Sequence, residues 1–134
     1  MSHHRTKRQL EFQLFGQMPS GKNQVKITRT GHRYPDKRFV AWRKDALLQL
    51  QKPCEQYRQE GVYLPLGSTI SLKCIYTPGD RRVRDVPGIL DALCHLLMQA
   101  NIVEDDGLIR NVEWIERVMD RKHPALQFSL TEAP

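Results

Sequence analysis

The chain has 134 residues, the size of one domain, and 40% of them are hydrophobic, enough to enclose one core. No apolar run approaches the roughly 20 residues that span a bilayer, and three widely spaced cysteines, Cys54, Cys74 and Cys94, without a C-x-x-C pair argue against a disulfide scaffold or a zinc ribbon. The formal net charge of +6 and the pI of about 9.5 leave a polyanionic partner as the natural expectation.

The charge is uneven. Up to Arg58 there are 13 Lys or Arg against four acids, Glu11, Asp36, Asp45 and Glu55; the remainder is slightly acidic. A basic half beside an acidic half suits a polyanion held by one part and worked on by another. A solvated basic surface explains the same numbers. The start, Met1-Ser2-His3-His4-Arg5, is polar and lacks the apolar core of a secretion leader. Residues 1–8 therefore read as a flexible basic terminus of a single domain spanning 1–134, with a cytoplasmic location and no membrane partner expected.

In chain order, Gln9 to Phe15 alternates, with Leu10, Phe12 and Leu14 on one face, which predicts a strand. The segment Gly16 to Gly21 breaks it. Two short strands follow, Val25 to Thr28 and near His32 to Tyr34, joined by a turn at Thr30-Gly31. From Asp36 to about Arg58 the apolar residues Phe39, Trp42, Ala46, Leu47 and Leu50 recur at helical steps, and Pro53 is expected to end or kink that helix. Arg43 and Lys44 lie off its apolar stripe. Gln59 to Gly67 reads as loop. Thr69 to Tyr76 alternates again, with Ile70, Leu72, Cys74 and Tyr76 facing one way.

A central helix opens at Asp85, with Pro87 in the first turn where a missing N–H costs nothing. Ile89, Leu90, Leu93, Leu96, Leu97 and Ala100 form its stripe, and Asn101 is the stop signal. Beyond the turn at Asp105-Asp106-Gly107, Ile109 to Met119 alternates weakly, with Val112, Trp114, Glu116 and Val118 on one side. A basic turn, Arg121-Lys122-His123-Pro124, leads to a closing strand through Leu126, Phe128 and Leu130. The order β-β-β-α-β-α-β-β predicts an α+β fold, a mixed sheet with two main helices packed on it.

The carboxylates around the central helix are the candidate chemistry. Phosphodiester hydrolysis with Mg²⁺ needs carboxylate oxygens that hold a hard cation beside the phosphate. Asp85 precedes the helix, Asp91 lies one turn above Pro87, and Asp105 and Asp106 follow the helix. Each has a plain structural reading as well: Asp85 as an N-cap, Asp91 as an exposed helix residue, Asp105-Asp106-Gly107 as a turn. Trp42, Cys74 and Cys94 read as core.

The run Asp80-Arg81-Arg82-Val83-Arg84-Asp85, the helical Asp91-Ala92-Leu93 with Leu96-Leu97, and Ala100-Asn101-Ile102-Val103-Glu104-Asp105-Asp106 together resemble the RusA family of Holliday junction resolvases. Pro19-Ser20-Gly21-Lys22-Asn23 is similar to that family's early Pro-Ser-Asn segment. The resemblance implies a RusA-like homodimer that cuts four-way DNA junctions with Mg²⁺ or Mn²⁺, in DNA recombination and repair, in a bacterial or phage-derived setting. It implies that Asp85 and Asp106 are catalytic metal ligands, with Asp105 beside Asp106. It also implies that Lys22, Arg81, Arg82 and Arg84 contact DNA, and Arg43 and Lys44 on the first helix are expected to hold the arms. The family's D-x-D-N is Asp85-Val86-Pro87-Gly88 here, so its second aspartate is replaced by Pro87. The lysine usual one turn later is Asp91, which is expected to supply the missing ligand. The alternative is a degenerate RusA-like protein that binds branched DNA without cutting it.

Overall fold

The computed structural model describes residues 9–19, 25–82 and 84–133. The expected residues 1–8 arm, Lys22 and the Ser20 to Asn23 part of the Pro-Ser-Asn-like segment lie outside them. Four strands make the main sheet: β1 (Gln9–Phe15), β4 (Ile70–Thr77), β5 (Ile109–Glu116) and β6 (Ala125–Glu132), in the spatial order β1-β6-β4-β5. β6 is antiparallel to both its neighbours, and β4 and β5 are parallel. β2 (Val25–Ile27) and β3 (Arg33–Pro35) pair as a separate hairpin whose turn uses Gly31 at φ +85°. The helices are α1 (Lys37–Gln59) and α2 (Val86–Gln99). The architecture is the expected α+β fold with its elements in the expected order.

Strict alternation decides which face is buried. Leu10, Phe12 and Leu14 on β1, Ile70, Leu72, Cys74 and Tyr76 on β4, and Leu126, Phe128 and Leu130 on β6 all point into one core. The register sets Phe12 and Cys74 on either side of Phe128, and the Phe12 and Phe128 rings stack at 5.2 Å. Onto this face α1 packs Ala46, Leu50 and Cys54, and α2 packs Ile89, Ala92, Leu93, Leu96 and Leu97. Each such large apolar side chain contributes about 1.5–3 kcal/mol on burial. The opposite face of the sheet, with Gln9, Glu11, Gln13, Lys73 and Gln127, carries no helix among the described residues and is mostly exposed.

The two outer strands are treated differently. The edge of β1 is closed by side chains of α1: the Tyr57 hydroxyl accepts from Glu11 N (2.8 Å) and donates to Glu11 O (3.1 Å), while the Gln49 amide accepts from Phe15 N (2.7 Å) and donates to Phe15 O (3.0 Å). These two side chains stand where a neighbouring strand would, and they remove the liability of an open edge. β5 forms the other edge and is largely exposed, including Val112 and Ile115.

Pro53 does not end α1; the helix continues to Gln59. An interior proline deprives the Gln49 carbonyl of its helical partner and costs about 3 kcal/mol. Burial of Leu50 and Cys54 on either side of it, with the Tyr57 and Gln49 grip on β1, offsets that cost. The stop comes at Gly61, at φ +91°, where Gly61 N and Val62 N donate back to Arg58 O and Tyr57 O. α2 ends as expected: Asn101 adopts φ +56°, and Ile102 N returns to Leu97 O. Among the described residues no helix is long and apolar enough to cross a membrane.

Replacing Pro53 with Ala restores the missing helical bond without disturbing the buried stripe. Pro53→Ala is expected to raise unfolding stability by about 1–3 kcal/mol, measured by urea denaturation.

Candidate nucleic-acid interface and acidic site

β4 delivers Tyr76 to the end of the sheet, fully buried, with its hydroxyl facing the loop that leads to α2. That hydroxyl accepts from Arg84 Nε (3.0 Å) and from Gln17 Nε2 (3.3 Å). Arg84 Nη2 in turn reaches Asp80 Oδ1 at 2.5 Å, and the same carboxylate oxygen accepts from Arg82 N at 2.9 Å. Gln17 Oε1 accepts from Gly79 N (2.6 Å), and Gly16 N donates to Pro124 O (2.9 Å). Past the end of β5, Arg117 N donates to Tyr76 O (2.7 Å) and Asp120 N to Pro78 O (2.9 Å). Three loops, around Gln17, Asp80 and Asp120, are thereby fixed to one another at the strand-exit end.

Arg84, expected from the sequence to contact DNA, has a side chain only 5% exposed, with Nε donating to Tyr76 and Nη2 to Asp80. Burial lowers its pKa, but the Tyr76 hydrogen bond and the Asp80 carboxylate outweigh that and hold it above the usual value. It is a brace for the exit loop. Burial likewise raises the Asp80 pKa, and the Arg82 N–H together with the bond and charge of Arg84 overcome it, leaving Asp80 below the ordinary carboxylate range. Arg81 and Arg82 themselves are exposed and form no ion pair among the described residues. On α1, Lys44 is exposed and Arg43 lies over the Phe39 ring, 5.8 Å from its centroid.

The acids divide between two places. Asp85 is the N-cap of α2, its Oδ1 accepting from Gly88 N at 3.3 Å. Asp91 is exposed on α2, with His95 Nδ1 at 3.8 Å. Asp105 caps a short 3-10 turn, Asp106–Leu108, by accepting from Gly107 N at 3.0 Å. That N–H, and then a hydrogen bond shared with the Asp106 carboxyl, hold the Asp105 carboxyl below its usual pKa. The turn packs against α2. The Cys94 thiol registers the result: burial first, then the charges of Asp106 and Asp91, push it up to about 11. Asp91 and Asp106 both lie in the charge environment of Cys94, whereas Asp85 lies about 13 Å back along the helix axis from it. Cys74, at the sheet side of the same thiol pair, is pushed up to about 12 by burial and then by Cys94.

The topology explains the separation. β4 and β5 are parallel, so α2 must carry the chain from the exit end of one to the entry end of the other. Asp85 marks one end of that return and the Asp105–Asp106 pair the other. Among the described residues no three acids, histidines or cysteines come close enough together to hold a metal ion, so the expected four-aspartate set is not gathered within this chain. Mg²⁺ asks for less, because it keeps several waters and uses one or two carboxylates plus substrate phosphate; Asp105 and Asp106 are adjacent in the chain at the start of the 3-10 turn.

No protein-family model matches the chain, and no curated protein matches it either.

Tyr76→Phe leaves Arg84 Nε buried without its acceptor and is expected to cost about 1–3 kcal/mol in denaturant unfolding. The Asp80–Arg84 link adds a pH signature. Because the folded-state pKa of Asp80 is depressed, its contribution is present above the unfolded value near 4 and is lost as pH falls through the folded value. The stability gap between wild type and Asp80→Ala is expected to be constant at neutral pH and to close as the pH falls below about 4.

Proposed function

We propose that this chain is a Mg²⁺-dependent, structure-selective endonuclease acting on branched DNA, most closely on four-way junctions, as a homodimer. The observation that supports it best is the exit loop: exposed Arg81 and Arg82 sit on a backbone braced by Arg84, immediately before α2, with Asp91 on that helix and Asp105 and Asp106 in the turn that follows it. Arg81 and Arg82 neutralise backbone phosphate there. Arg84 fixes where they stand, and Lys44 and Arg43 hold an arm of the junction. Asp105 and Asp106 would hold the cation, which supplies charge stabilisation to the phosphate oxygens in the transition state. Asp91, whose charge acts on the same Cys94 thiol as that of Asp106, would add negative charge to that region. The RusA-like order of these residues in the sequence points to the same chemistry.

A second reading, junction binding without cleavage, is favoured by Asp85. Its carboxylate serves as a helix cap, and Pro87 stands where the family carries a further aspartate. One experiment separates the two. A labelled four-way junction is incubated with wild type in Mg²⁺ and in EDTA, with Asp106→Asn and Asp85→Asn in parallel. The endonuclease reading expects nicks only in Mg²⁺, at least about 100-fold slower with Asp106→Asn, while binding persists. Asparagine caps a helix as well as aspartate does, so Asp85→Asn should cut normally if Asp85 is only a cap. Tight binding with no nicks in any metal would establish the second reading, and equal binding to junction and linear duplex would defeat both.

A further inference from the structure

Resting on the reading of DNA as the partner, we propose that the loop from Arg117 to His123 is a second phosphate-backbone contact, continuous with Arg81 and Arg82, forming one electropositive rim at the strand-exit end. The sequence marks Arg121-Lys122-His123 only as a basic turn; the fold places it. Arg117 N is bonded to Tyr76 O and Asp120 N to Pro78 O, so the loop runs alongside the start of the exit loop. Pro124, which closes it, accepts from Gly16 N, and a Cβ on Gly79 would stand 3.0 Å from Pro124 Cβ. The two basic loops are in contact through backbone that cannot separate cheaply.

The acids of this region are already engaged. Asp80 is bound to Arg84 and to Arg82 N. Asp120 accepts from Lys122 N (3.0 Å) and His123 N (3.3 Å), with His123 Nδ1 at 3.4 Å. Asp85 caps α2. Against them stand Arg81, Arg82, Arg117, Arg121 and Lys122, all exposed and all without an ion pair among the described residues; Glu116 is the nearby carboxylate left over. Four of these five cations are arginines, whose planar fork matches phosphate oxygens. A duplex carries a negative charge about every 1.7 Å of axis and rewards several cations held at fixed spacing. An acidic polypeptide offers no such regular array.

The test is binding in EDTA, so that cleavage plays no part. Affinity for a four-way junction is measured across a salt series for wild type, for Arg117→Gln/Arg121→Gln/Lys122→Gln, for Arg121→Gln alone, and for Lys73→Gln on the open face of the sheet as a control. All are first checked for an unchanged thermal midpoint. The slope of log affinity against log salt should become shallower by about 2–3 in the triple variant and by about 0.9 in Arg121→Gln, with Lys73→Gln unchanged. Affinity of the triple variant near 0.1 M salt should fall at least about tenfold. If the triple variant does not fold, the single variant decides by the same slope. A wild-type slope retained in the variants overturns the second contact while leaving DNA binding intact. Wild type that binds no DNA, or binds polyglutamate as tightly, overturns the contact together with the reading it rests on.

Discussion

The buried hydroxyl of Tyr76 is the point on which the candidate interface depends. A tyrosine at the end of a core strand buries a large ring and still has a polar atom to satisfy. Here that atom is offered to the one region where the chain leaves the sheet. By accepting from Arg84 and Gln17 it ties the exit loop to the loop after β1, and its own carbonyl takes the N–H of Arg117. Arg84 could not be buried without such a partner, because an unpaired guanidinium in the core is strongly unfavourable. With Tyr76 and Asp80 in place, the arginine becomes a strut. The exposed Arg81 and Arg82 are positioned as a consequence, without any contact of their own to the core.

The placement of the acids follows from topology in the same direct way. A parallel pair of strands cannot be joined by a tight turn, and the crossover that joins β4 to β5 is α2. Residues just before and just after that helix are separated by its length. The left-handed residue Asn101 then reverses the chain, and a short parallel bridge between Leu66 and Val103 guides it back beside α2. That reversal is why Asp106 reaches the charge environment of Cys94 and Asp91, instead of ending below the helix. The single left-handed non-glycine residue among the described ones thus stands at the reversal that leads to the Asp105–Asp106 pair.

Much of this was legible in the sequence. The two-residue period of Leu10 to Leu14, of Ile70 to Tyr76 and of Leu126 to Leu130 gave three core strands and their buried faces, and the stripe from Ile89 to Leu97 gave α2. These patterns are local, and packing agreed with them. Asp85 as cap and Asn101 as stop were equally readable, since both act within one helical turn. What was hidden depended on partners distant in the chain. Pro53 reads as a breaker until Leu50, Cys54 and Tyr57 are seen anchored on both sides of it. Arg84 reads as one more surface cation in a basic run, and nothing in the run announces that Tyr76, eight residues earlier, will bury it. The strand order is not encoded in periodicity, so the sequence could not say that Asp85 and Asp106 stand at the two ends of a crossover, nor that the Arg121 turn would lie against Gly79.

The uncovered face of the sheet narrows where a polyanion can bind. Gln9, Gln13 and Gln127, with Ser71 and Ser129, are uncharged, and Lys73 is set among Glu11 and Glu113, its register partner on β5. That face offers no net positive field. One flank is also occupied, because α1 closes the edge of β1 with Tyr57 and Gln49. The groove of about 810 Å³ along that flank is lined by Glu11 and Glu60 as well as Lys52 and Lys73, so its charges balance. The strand-exit end differs on each count: Asp80, Asp85 and Asp120 are engaged in internal bonds, Arg81, Arg82, Arg117 and Arg121 are exposed, and the N-terminal end of α2 adds the positive pole of a helix dipole. For a phosphate backbone the sheet face is therefore a less favourable place than the exit loops, which stand at the start of α2, while Asp105 and Asp106 lie in the turn beyond its other end.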